Sequence, residues 1–253
     1  MVETTSGGEL RARGEDASSI SVQSRPVTEI RRRAAARTLV ATWLAILLAV
    51  LVLGWLITGP LSSVVEPRDD RFERWLAGER TADLDAAAAV GSAVADTIIG
   101  VALAVVVALV AAWRTRSWRP VVYFAVLVVG YLALYVVVTH LVTRDRPPVQ
   151  ILDPGLVPDH SYPSGHVATS IVVYGGIALW IGWVRPGWRR WTWLLALAPL
   201  VVAPSRLYQG AHHPTDVLTS LVFATAWLVV VSRVLLTPGA AERAQERPAM
   251  VEP

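Results

Sequence analysis

The chain has 253 residues, of which 54% are hydrophobic and 17% charged. It has no cysteine, and all 23 basic residues are arginine, which excludes disulfides, cysteine-held metal centres, Schiff-base chemistry on lysine and a lysine-dependent phosphate loop. The net charge of +3 and pI near 9.7 point to anionic lipid headgroups rather than nucleic acid, because the arginines flank long uncharged apolar runs.

Residues 1–37 are rich in Gly, Ser, Glu and Arg and lack apolar periodicity. They read as a disordered basic tail ending in Arg31, Arg32, Arg33 and Arg37. The apolar run that follows is long enough to span a bilayer, so an uncleaved anchor is expected rather than a signal peptide. A bilayer core of about 30 Å takes about 20 apolar residues per helix. Six such segments are expected, at 38–58, 93–113, 120–142, 167–184, 191–204 and 217–232. The last two are short, which would sink their terminal polar residues into the leaflet. Between the first and second lies an outer loop, 60–91. Its stretch 71–88, with Phe72, Trp75 and Leu76, fits either an amphipathic helix on the membrane surface or a solvated linker. Residues 237–253 are expected to form a second disordered tail. The expected fold class is all-α, a polytopic six-helix membrane domain over 38–236.

Orientation follows from arginine placement. With the N-terminus inside, inner segments carry 16 of the arginines and outer segments seven, so both termini are expected in the cytoplasm, with the protein in the plasma membrane. Trp113, Trp118, Trp183, Trp188, Trp191 and Trp193 flank the two short inner loops, as an interfacial aromatic belt would. All five histidines (His140, His160, His166, His212 and His213) then fall on the outer side.

Three clusters on that side carry chemistry. Thr143–Pro148 holds Arg144 and Arg146, whose planar guanidiniums suit phosphate oxygens; alone, they fit snorkelling to headgroups equally well. Pro163-Ser164-Gly165-His166 opens the fourth span, where a serine cap, a helix N-terminus and a glycine suit an approaching anion; alone, this is also an ordinary helix start. Ser205-Arg206 is followed by His212 and, four residues on, by Asp216. That carboxylate is placed to fix the imidazole tautomer and raise its basicity, whether His212 lies in the helix or, with Pro214 at its start, just before it. His213 reads as a neighbour without a role.

Together the clusters resemble the type 2 phosphatidic acid phosphatase superfamily, whose pattern is Lys-x6-Arg-Pro, Pro-Ser-Gly-His and Ser-Arg-x5-His-x3-Asp. The second and third motifs match in full, and the first matches at Arg146-Pro147 with Thr139 at the lysine position. The resemblance implies that His212 attacks phosphorus, that Asp216 orients it, and that His166 protonates the leaving oxygen and then activates water. It implies that Arg146, Arg206, Ser164 and Gly165 hold the phosphoryl oxygens without metal or cofactor. Thr139 brings no charge, and Arg144 is expected to substitute for the lysine. The implied substrate is a lipid phosphate (phosphatidate, phosphatidylglycerophosphate or a polyprenyl diphosphate) in contact with membrane lipids. Oligomeric state is left open. A membrane phosphotransferase and a non-enzymatic carrier or scaffold are the alternatives.

Overall fold

The computed structural model describes residues 24–236, so most of the N-terminal tail and all of 237–253 lie outside the described residues. Within it the chain is helical. α1 covers Ser24–Thr58, α2 Ser62–Gly78, α3 Ala82–Ala93, α4 Thr97–Thr115 and α5 Arg119–Leu141. α6 (Gly165–Ser170) runs through a π-turn at Ile171–Gly175 into α7 (Gly176–Val184). α8 (Arg189–Thr192) leads through a 3₁₀ turn, Trp193–Leu197, into α9 (Ala198–Tyr208), and α10 is Pro214–Leu235.

Among the described residues, five segments are helices long and apolar enough to cross a membrane: Arg31–Thr58, Thr97–Thr115, Arg119–Leu141, Gly165–Val184 and Pro214–Leu235. The segment expected at 191–204 is helical but not one long helix, since α8, the 3₁₀ turn and α9 follow each other in short pieces. Pro199, in the first turn of α9, and Pro204 inside it account for part of the interruption, because proline lacks the N–H a continuous ladder needs. Within the described residues α1 runs back through the arginine cluster to Ser24. Alanine and arginine, both strong helix formers, fill 31–37 and outweigh the polar composition. Asp96 caps α4, accepting from the N–H groups of Ile98 (2.9 Å) and Ile99 (3.1 Å), so that span starts later than the apolar pattern suggested.

The core is built by α5, α6–α7 and α10. Tyr123, Leu127, Tyr131, Leu134 and Val138 line one face of α5 at helical spacing. They meet Val167, Val172 and Val173 and, from α10, Phe223, Trp227 and Val231. Gly130 lets α10 close on α5, since a Cβ there would stand 2.3 Å from the Trp227 ring. Trp227 Nε1 donates to Leu127 O at 3.1 Å and Trp43 Nε1 to Gly130 O at 2.8 Å, so these two indole N–H groups have acceptors.

The 60–91 loop folds as two helices, α2 and α3, broken at Glu79–Arg80. Thr81 caps α3 by accepting from Leu84 N. α2 carries its polarity inward. Asp69 and Glu73, one turn apart, are buried, whereas Leu61, Val64, Phe72 and Trp75 are exposed. α3 packs on α9 through Gly91, where a Cβ would meet Ser205 Oγ at 2.2 Å. Arg80 ties the α2–α3 junction to the neighbouring loops, donating to Tyr208 O through Nη2 (2.9 Å) and to Gln150 O through Nη1 (2.8 Å).

Candidate active site

The site forms where the 143–164 loop, the α6 start, the α9 end and the α10 start converge. His212 lies in the turn between α9 and α10 and is buried. Its Nδ1 sits 2.6 Å from the backbone oxygen of Ser161. A carbonyl oxygen only accepts, so Nδ1 carries the proton and Nε2 presents a lone pair. Burial above all, then the guanidiniums of Arg206 and Arg146, hold this imidazole well below its ordinary range. It is therefore neutral at neutral pH.

Asp216 does not hold the His212 ring, contrary to expectation. Pro214 is the first residue of α10, so His212 precedes the helix and does not share a face with Asp216. The carboxylate instead accepts from Ser161 Oγ (2.6 Å), from the His213 backbone N–H (2.9 Å) and from Arg144 Nη1 (2.5 Å). Asp216 thus grips the side chain of the residue whose carbonyl orients His212. Ser161, which no motif marked, is the link. His213, read as a bystander, caps α10 and lies 3.5 Å from Asp70 on α2.

Arg144, expected to replace the missing lysine, is buried between two carboxylates. Its Nη2 donates to Asp69 at 2.8 Å and its Nη1 to Asp216 and to Thr215 Oγ1. Both terminal nitrogens are therefore engaged within the protein. Thr139 is buried, and its hydroxyl donates to Tyr135 O (3.0 Å) and Val136 O (3.1 Å) of its own helix. Arg146 pins the loop, donating from Nε to Val157 O, from Nη2 to His160 O and from Nη1 to Ala211 O. Three of its five N–H groups are so used, and it remains within electrostatic reach of His212 and Arg206.

Donors remain free where an anion would need them. Arg206 is fully buried, yet its Nε and Nη2 have no partner. Ser164 is also fully buried; its side chain makes no capping bond to α6, contrary to expectation, and its Oγ is unpaired. Buried donors without acceptors are costly, and such a set points to a ligand that satisfies them. Gly165 abuts the Tyr135 ring, which a Cβ would approach to 3.1 Å. His166, partly exposed, is within electrostatic reach of Arg206, Asp153, Asp96 and Arg146. The rings of His140 and His160 meet at a tilt, 5.9 Å apart, and His140 Nδ1 lies 2.8 Å from Val136 O of its own helix. Among the described residues, no three His, Asp or Glu side chains converge as a metal site requires.

Three further residues surround Arg206 that sequence reading missed. Its Nη1 donates to Asp153 (2.6 Å), Ser92 Oγ (2.7 Å) and Gln209 Oε1 (3.1 Å). Ser92 comes from α3 and Asp153 from the long loop, so neither lies in a motif.

The PAP2 superfamily model matches residues 119–239. The fold is similar to the crystal structure of a transmembrane PAP2-type phosphatidylglycerolphosphate phosphatase from Bacillus subtilis, with a TM-score of 0.64. The match covers 83% of this chain and 99% of that one at 18% sequence identity, a likeness of fold. No curated protein matches the chain.

Proposed function

Because this chain belongs to the PAP2 superfamily through residues 119–239, we propose that it is a multi-pass membrane phosphatase acting on a lipid phosphate through a phosphohistidine. The observation that carries this reading is the set of unpaired buried donors on Arg206 and Ser164 near a neutral His212 whose Nε2 is free. The phosphoryl group binds to those donors. His212 Nε2 attacks phosphorus, forming the N–P bond as the P–O bond to the lipid breaks. His166, protonated beside the anion, gives its proton to the leaving oxygen. It then takes a proton from water, which attacks phosphorus and releases phosphate and free His212. Arg206, Ser164 and the two remaining Arg146 hydrogens neutralise the charge on the equatorial oxygens, the main task in phosphoryl transfer. No metal enters these steps.

A lipid substrate is favoured by a cavity of about 330 Å³ between α1 and α10, lined by Ile46, Val50, Leu53, Leu218, Val222 and Phe223 and reaching Thr215 beside the Arg144 cluster. In this reading Arg189–Tyr208 makes the sixth crossing. Both termini then face the cytoplasm, as the arginine asymmetry requires, and the site opens outward at the plasma membrane.

The test is phosphate release by purified protein in detergent from a panel of phosphatidylglycerophosphate, phosphatidate and a polyprenyl diphosphate. Turnover of at least one is expected, unaffected by EDTA, blocked by vanadate and accompanied by an acid-labile phosphoenzyme that His212→Ala does not form. Turnover lost in EDTA and restored by a metal ion would remove the metal-free mechanism. A fully active, folded His212→Ala protein would remove the nucleophile assignment.

A further inference from the structure

We propose that Asp153 is a positioning residue that aims the bare edge of Arg206 at the bound phosphate, an inference that rests on the phosphatase reading above. The guanidinium is planar, and its five N–H groups leave in fixed directions. Nη1 lies on the side of the side-chain stem, while Nε–H and the adjacent Nη2–H point together from the opposite edge and form the fork that grips an anion bidentately. In this protein the two edges are treated differently. Nη1 meets three acceptors, Asp153 Oδ2, Ser92 Oγ and Gln209 Oε1, although it has two hydrogens. The fork edge meets none, and Arg206 is wholly buried. Saturating one edge fixes the plane, so the other faces the site without a search among rotamers when the ligand arrives.

Asp153 contributes most to this arrangement. It is the one charged acceptor of the three, and charge-assisted bonds are about twice as strong as neutral ones. Its carboxylate is 28% exposed and so also reaches solvent. It is also held in place. Leu152 N donates to Gln209 O at 2.9 Å, tying the loop to the end of α9, and Arg80 holds Gln150 O two residues further back. Gln209 therefore serves twice, with its backbone oxygen anchoring the loop and its side chain meeting Arg206. A carboxylate this near the phosphate also repels it. The inference is that restraint of Arg206 outweighs that repulsion.

Purified protein in detergent, titrated with orthovanadate by calorimetry alongside lipid phosphate turnover, decides the matter. Asp153→Ala is expected to weaken vanadate binding by about tenfold or more and to lower turnover to match. Asp153→Asn keeps an acceptor oxygen at Nη1 but loses the charge and is expected to fall between the parent and Asp153→Ala. Unchanged vanadate affinity in Asp153→Ala overturns the proposal. So does tighter binding in both variants, which would make Asp153 a competitor for Arg206. Where Asp153→Ala does not fold, Asp153→Glu keeps the charge but moves the acceptor by one methylene. It is expected to weaken vanadate binding by at least about threefold, and unchanged affinity there overturns the proposal as well. A parent protein that binds no vanadate and releases no phosphate removes the phosphatase reading itself, a result distinct from any difference between variants.

Discussion

Arg144 and Arg206 are both buried, yet they leave different atoms free. Arg144 spends both terminal nitrogens on Asp69 and Asp216 and leaves Nε alone, whereas Arg206 leaves the two donors of one edge. Removing Arg144 strands two buried carboxylates, and breaking a buried pair from one side costs about 3–5 kcal/mol. Arg144→Ala is therefore expected to lower the melting temperature and turnover together, and Thr139→Lys is not expected to rescue it. Arg206→Lys keeps a cation for Asp153 but lacks the fork, so it should melt closer to the parent than Arg144→Ala does while turnover falls by about 10²–10³-fold, as for loss of a donor to a transition-state anion. Thermal unfolding in detergent beside phosphate release separates the two, and an Arg144→Ala protein of parental stability would refute the structural role. Glu73 gives a pH-dependent counterpart. Both its oxygens are buried without partners, and burial pushes its carboxyl from 4.5 up to about 8, with Asp69, Asp216 and Asp70 adding to the rise against Arg80. A folded-state value raised in this way contributes stability that is complete below the unfolded value and is lost as pH rises through about 8. Glu73→Gln should thus raise the melting temperature at pH 9 more than at pH 6. An equal effect at both pH values would mean that Glu73 is already ionised at the lower one.

At the scale of elements, α2 and α3 complete a site whose motifs lie elsewhere. α2 brings Asp69 to Arg144, and α3 brings Ser92 to Arg206. The approach of α3 to α9 depends on Gly91, since a Cβ there would stand 2.2 Å from Ser205 Oγ and 3.1 Å from Val201. Gly91→Val should push α3 outward, withdraw Ser92 from Arg206 and lower turnover at least about tenfold, a loss within the range of overpacking effects. Gly78→Ala, where a Cβ would meet nothing, is the control expected to stay near parental activity. Parental turnover in Gly91→Val would show that α3 does not need this close approach. The three motifs were legible because each is a short stretch of sequence with fixed spacing, at most from the end of one helix to the start of the next. The inward polarity of α2 was not, because burial on a helix depends on what surrounds it. Beside a bilayer the apolar face turns outward, so Phe72 and Trp75 mark the exposed side and the Asp69–Glu73 spacing marks the buried one. Ser161 and Asp153 left no signal, since one acts through its carbonyl and both depend on contacts more than 50 residues away.

Across the whole molecule the apolar surface is too extensive for water. Val40, Leu44, Leu48, Ile98, Val106, Val129 and Val222, from four of the helices, are each at least 53% exposed, a pattern a soluble protein does not present but hydrocarbon accommodates. Among the described residues five helices are long enough to cross, and an odd number of crossings would put the two ends of this domain on opposite sides. The arginine distribution asks for the same side, because the segments next to both termini belong to the set carrying 16 of the 23. The crossing proposed for Arg189–Tyr208 would reconcile the two. Exposed Trp113 and Trp118 at the α4–α5 junction, with Trp188, Trp191 and Trp193 after α7, then lie at one interface, opposite His212. The natural chain lacks cysteine, so single introduced thiols report topology without background. Thr115 and Val157 are both exposed and sit on opposite sides of this arrangement. In intact cells a membrane-impermeant maleimide should label Val157→Cys, and should label Thr115→Cys only after permeabilisation. A thiol at Arg190, at the start of the disputed crossing, should behave like Thr115→Cys. Labelling of Arg190→Cys from outside would deny that crossing and leave five spans, and labelling of Val157→Cys only after permeabilisation would turn the site toward the cytoplasm.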